Sequence, residues 1–120
     1  MIIRLTDCGE FVAGDHTILR EILHPDKQPL ALGYSLAHAT LAVGKTSLLH
    51  RLATSEVYFI LSGRGKMELA GQEREVGPGD TVYIAPSLTQ RITSLGPVPL
   101  EFLCIVDPAW QAEDEAVLPE

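Results

Sequence analysis

From residue 34 onward the chain repeats one device: a run of about five residues rich in Val, Ile, Leu, Phe or Tyr, then a break at Gly, Pro, Asp or Ser. The runs are YSLAHATLAV (34–43), SLLHRL (47–52), VYFILS (57–62), KMELA (66–70), TVYIA (81–85), QRITS (90–94) and LEFLCIV (100–106). The breaks fall at Gly44, SGRG (62–65), AGQ (70–72), GPGD (77–80), APS (85–87) and GPVP (96–99). Short strands at such close intervals can only bury their apolar faces by folding on one another, as an antiparallel sandwich or barrel. Glycines at 63, 65, 71 and 79 suit tight turns and hairpins, SGRG among them. In GPGD the proline presets one turn position and the glycine takes the next. No segment before residue 107 carries a helical apolar stripe, so the expected class is all-β.

The 120 residues fit a single domain able to bury its own core. Residues 1–32 are expected to form an N-terminal strand arm, 33–106 the barrel and 107–120 an acidic tail. Within the arm, TILREILH (17–24) fits strand or helix by spacing, and strand is preferred because an all-β neighbour offers it a sheet. The tail, DPAWQAEDEAVLPE, is expected to pack Trp110 against the barrel and to fray at its end.

Nine Lys and Arg against sixteen Asp and Glu leave a formal charge of −7, with no basic cluster, which argues against nucleic acid as a partner. No stretch approaches a membrane span and the first residues lack a signal-peptide core, so a cytoplasmic setting is expected. Cys8 and Cys104 give no reason to expect a disulfide or a zinc motif, and Cys104 lies in an apolar run as an inert thiol.

Strand alternation then sorts the side chains. If His50 points inward, so does Leu52, while Arg51 points out. Glu56, Tyr58 and Ile60 share one face, and Gln90 and Ile92 share another. His50, Glu56, Tyr58 and Gln90 are therefore candidates to line one cavity. A buried Glu56 would need a cation or a raised pKa. His38, flanked by small residues in SLAHATL, and His24 are candidates to enter from neighbouring strands, the alternatives being a hydrogen-bonded core histidine and a turn residue before Pro25. His16 reads as loop.

The pattern Gly44, five residues, His50, one residue, Leu52, three residues, Glu56, six residues, Gly63 resembles the first motif of the cupin family, with Leu52 where a second histidine usually stands. GPGDTVYIAPSLTQRITSLG (77–96) resembles the second motif, with Gln90 in place of its histidine and Ser94 in place of its asparagine. The resemblance spans about residues 33 to 106, and is nearest to small single-domain cupins of mannose-6-phosphate isomerase-like type. It implies a double-stranded β-helix, or jelly-roll, barrel. It also implies a divalent metal ion (Zn, Mn, Ni or Fe), for which His50, Glu56, Gln90 and His38 are the candidate ligands.

Three functions follow as expectations. The first is a cupin binding a metal and a small polar molecule, with isomerisation of a sugar or organic acid assisted by Glu56 or Tyr58. The second is a non-catalytic module that binds or senses a small molecule with a degenerate metal site, which Leu52 favours. The third is an interaction scaffold with a filled interior. A homodimer is compatible with each.

Overall fold

The computed structural model describes residues 1–120. Eleven strands follow one another: β1 (Glu10–Val12), β2 (Ile18–Leu23), β3 (Ser35–Leu41), β4 (His50–Leu52), β5 (Ser55–Ser62), β6 (Gly65–Leu69), β7 (Gln72–Val76), β8 (Thr81–Ile84), β9 (Gln90–Ser94), β10 (Leu100–Asp107) and β11 (Glu115–Val117). They build two antiparallel sheets, one ordered β1-β2-β3-β10-β5-β8 and the other β11-β4-β9-β6-β7. No helix is long and apolar enough to cross a membrane. The all-β class expected from the runs is observed, and the two sheets are consistent with the jelly-roll barrel that the motif resemblance implies.

Alternation places the core. Ala39, Leu41, Tyr58, Ile60, Met67, Ile84, Ile92, Leu100, Phe102 and Cys104 project between the sheets and pack as one cluster. Tyr58 and Phe102 meet at 4.5 Å between ring centroids, an arrangement worth about 0.5–1.5 kcal/mol beyond the area it buries. The odd positions of β5 turn outward instead, leaving Phe59 and Leu61 partly exposed beside Tyr83 of β8.

The turn residues act in two different ways. Ala70 and Gly71, at φ 49° and 82°, join β6 to β7 as a two-residue hairpin with Leu69 opposite Gln72. That pair of positive φ values is the twist-matched geometry of a tight hairpin. SGRG, by contrast, is not a hairpin turn. It carries the chain from β5 in one sheet to β6 in the other, so it is a corner of the sandwich. Gly63 (φ 78°) makes that corner against the backbone of Pro99 and Leu100. Gly65 serves packing, since a Cβ there would lie 3.1 Å from Leu100 Cδ2. GPGD forms the expected turn, with Asp80 N–H donating to the Gly77 carbonyl at 3.0 Å and Gly79 at φ 89°.

Three strands lie outside the expected runs. QEREV becomes β7 although four of its five residues are exposed, because the hairpin fixes it to β6. The tail does not simply fray: Glu115–Val117 pairs with β4 as β11, and Leu118 N–H donates to the Leu49 carbonyl. At the other end, β1 pairs with β2. The chain's two ends thus meet at one mouth of the barrel.

Candidate functional site

The register of the sheets brings the motif residues together. His50 and Gln90 are direct partners across β4 and β9, while Glu56 and Tyr58 stand on β5 in the facing sheet. Gln90, fully buried, spans the gap: its Nε2 donates to Glu56 Oε1 at 2.9 Å, and its Oε1 accepts from the Tyr58 hydroxyl at 2.9 Å. The two sheets are therefore joined by a polar link inside an apolar core, where breaking one bond costs on the order of 1–3 kcal/mol.

Glu56 has no charged partner at bonding distance. Burial pushes its pKa up to about 8, opposed by the Gln90 bond and reinforced by the Asp15 and Glu115 carboxyls. At neutral pH it is a neutral carboxylic acid with Oε2 free of any hydrogen bond. Tyr58 beside it is pushed well above the usual phenol range by burial first and by Glu56 next, so it remains a donor. The Cys104 thiol is raised by burial in the same way and is inert.

His50 is oriented by its own strand. Its Nδ1 donates to the Leu48 carbonyl at 2.8 Å, which fixes the tautomer and turns Nε2 toward the barrel mouth. There Asp15 Oδ2 stands 3.6 Å away. Asp15, in the turn between β1 and β2, is held by Thr17, whose N–H and hydroxyl donate to Oδ1 at 3.1 and 2.7 Å. Glu115 of β11 closes the ring. Burial raises its pKa, with His50 and the Trp110 side chain acting in the opposite sense. It lies against Gly14, where a Cβ would come within 3.1 Å of its Oε2.

Asp15, His50, Glu56, Tyr58 and Glu115 line a cavity of about 350 Å³, walled by Phe11, Leu19, Leu52, Phe102, Val106 and Trp110, whereas Gln90, expected to line it, is fully buried behind Glu56 and Tyr58. That size and mixture suit a small-molecule pocket. Trp110 is set by its backbone: its N–H donates to Ser35 Oγ at 2.9 Å and its carbonyl accepts from His24 Nε2 at 2.7 Å. His24 Nδ1 in turn accepts from Asp26 N–H. Both ring nitrogens of His24 are thus spent on structure, the turn role considered for it.

His38 stands elsewhere. Ala37, Ala39 and Leu41 take the inner face of β3, so His38 faces outward, where its Nε2 lies 3.1 Å from Glu101 Oε1. It does not face the cavity. Asp15 and Glu115 do, and neither was expected there. The one local signal was the Asp-x-Thr spacing at 15–17, which suits a side-chain-stabilised turn.

Do these residues fit the metal ion that the motif implies? Leu52 offers an apolar wall in place of a donor. The Gln90 oxygen is turned to the Tyr58 hydroxyl and its amide nitrogen to Glu56, and the residue does not line the cavity. No group of three or more His, Cys, Asp or Glu side chains is arranged to hold an ion. The set does not fit one in this geometry.

Comparison with known proteins agrees with the architecture. The family model of the cupin domain matches residues 37–106. An uncharacterised protein of Methanocaldococcus jannaschii is 42% identical over 109 residues, covering 90% of this chain and 86% of that protein. Among solved structures, one described as a predicted oxalate decarboxylase from Thermotoga maritima superposes with a TM-score of 0.79 at 20% identity, covering 90% of this chain and 99% of that one. Streptomyces Pac13, solved with uridine, gives a TM-score of 0.80 at 15% identity, covering 98% and 89%. At such identities the structural likeness is one of fold.

Proposed function

The chain belongs to the cupin family, and on that footing we propose that it binds a small organic molecule in the open end of its barrel without an ion held by the motif residues. The observation that carries this reading is Gln90. Its amide is engaged at both ends, by Glu56 and Tyr58, and it does not line the cavity, so presenting its oxygen to a metal there would mean disturbing a buried polar link. Leu52 extends the apolar wall of the cavity at the second histidine position.

A second reading, proton-transfer catalysis, rests on the pairing of His50 with Glu56. Glu56, raised to about 8, is an acid able to give up a proton near neutral pH. His50, with Nδ1–H fixed on Leu48, offers Nε2 as the basic atom in its neutral form. Two titratable groups with opposed roles around one cavity support isomerisation or elimination chemistry. Pac13 is described as a nucleoside dehydratase, and dehydration is one such reaction. A cytoplasmic homodimer remains part of the proposal. The outer face of the six-stranded sheet supports the dimer, where Val57 lies opposite Tyr83 and Phe59 opposite Leu103.

The test is a thermal-shift panel of amines, sugars, nucleosides and organic acids on tag-free protein, beside a His50→Ala variant and elemental analysis. The expected result is stabilisation by at least one ligand class, lost in the variant, with metal content far below one ion per chain. One metal per chain, lost in the variant, would overturn the metal-free reading.

A further inference from the structure

The groups facing the cavity are unbalanced in charge and in hydrogen bonding. Four carboxyl side chains line it, Asp15, Glu21, Glu56 and Glu115, against one lysine and one histidine. Lys27 lies at the rim, largely exposed, and its Nζ is tied to Glu21 at 2.7 Å. That pair cancels itself. Asp15 and Glu115 remain, facing the single imidazole of His50.

Hydrogen bonding points the same way. Asp15 is more than nine-tenths buried, yet only its Oδ1 is satisfied, by Thr17. Its Oδ2 has His50 Nε2 as neighbour at 3.6 Å, too far for a hydrogen bond. With Nδ1–H given to Leu48, His50 leaves only Nε2 to face that oxygen, beyond hydrogen-bond reach. No protein donor bonds Asp15 Oδ2, and the space in front of it is one that a ligand's donor would fill. An ionised carboxylate only accepts, whereas an ammonium has three donors and no acceptor.

The walls specify the rest of the ligand. Phe11, Phe102 and Trp110 present aromatic surface, and Leu19, Leu52 and Val106 aliphatic surface. Aromatic faces attract cations, and apolar walls favour an organic body over a bare ion. An anion would meet Asp15 and Glu115 with no uncommitted cation to hold it.

We infer that the cavity recognises a small organic cation: a primary ammonium seated between Asp15, Glu115 and His50, carried on an apolar body packed against Trp110 and Phe102. This rests on the reading that the barrel binds a small molecule, and names the ligand's class.

Three probes of one shape test it: phenethylamine, phenethyl alcohol and hydrocinnamate, which differ in the ammonium, hydroxyl or carboxylate at the same end. Calorimetric titration at pH 7 in low salt should show the amine binding roughly ten-fold or more tighter than the alcohol, and the carboxylate not at all. Asp15→Asn and Glu115→Gln should each weaken the amine by roughly five-fold or more while moving the alcohol less than about two-fold. Glu115 is only half-buried, so its variant keeps the test intact if Asp15→Asn fails to fold. Equal affinity for amine and alcohol overturns the inference, as does preference for the carboxylate or an equal loss of all probes in Glu115→Gln. So does zinc chloride displacing the amine through the same two carboxylates. If uncharged ligands bind and amines do not, the small-molecule reading survives and the cation inference falls. If nothing binds, both fall.

Discussion

Replacing Glu56 by glutamine should change how stability depends on pH. A carboxyl moved from 4.5 to about 8 on folding binds its proton more tightly in the native state than in the unfolded chain. Its contribution is complete below the unfolded value, near pH 4.5, and is lost as pH rises through the folded value, near 8. At ~1.4 kcal/mol per pH unit the whole span corresponds to on the order of 4–5 kcal/mol. Water entering the open cavity when Glu56 ionises will relieve part of it, so a loss of ~2–4 kcal/mol is expected. That is a large share of the ~5–15 kcal/mol that holds a domain of this kind together. Glutamine keeps an oxygen able to accept from Gln90 Nε2 but cannot ionise. Urea unfolding of both proteins from pH 5 to pH 9 is the assay. Wild type should lose stability relative to Glu56→Gln as pH rises, the difference growing from about pH 5, climbing most steeply between about pH 6 and 7, and levelling off above about pH 8. The Glu115 carboxyl, also raised, is present in both proteins, so only its coupling to Glu56 enters the difference. A stability difference independent of pH, or one that grows in favour of wild type with rising pH, would refute the reasoning.

Two further outcomes follow from the same geometry. Gly63→Ala places a Cβ 2.6 Å from the Pro99 oxygen at φ 78°, so we expect a loss of ~3 kcal/mol or more, seen as a fall of roughly 10 °C in Tm. The double substitution Leu52→His with Gln90→His should let the barrel take up zinc near one ion per chain by elemental analysis. Either substitution alone should bind markedly less, and equal uptake by wild type would show that Gln90 yields its bonds readily.

Much of this architecture was legible because the pleat has period two. His50, Glu56, Tyr58 and Gln90 fall on inward positions of strands whose opposite positions hold Arg51, Val57, Phe59 and Arg91. His38 was not decidable by that rule, since both faces of SLAHATL are apolar or small and only the pairing with β10 reveals which side meets Glu101. QEREV carries no apolar alternation, because its strand is fixed by the hairpin before it and has little to bury. Asp15 and Glu115 were out of reach for another reason. Each lies in or beside a strand of three residues near a chain end, too short for periodicity, and their meeting with His50 depends on how both ends return to the same mouth.

That placement has a consequence for how the molecule would respond to a ligand. β1 and β11 are the outermost strands of their sheets at that end, each hydrogen-bonded on one side alone. Short edge segments open at far lower free energy than a central core. The Asp15 and Glu115 carboxyls are therefore carried beside or on two flaps, together with Phe11, while Leu19, Leu52, Phe102 and Val106 belong to the inner strands. A bound molecule bridging Asp15 and Glu115 would staple the flaps together. Its arrival should register as slowed amide exchange at residues 10–17 and 115–118, with the strands around Phe102 unaltered.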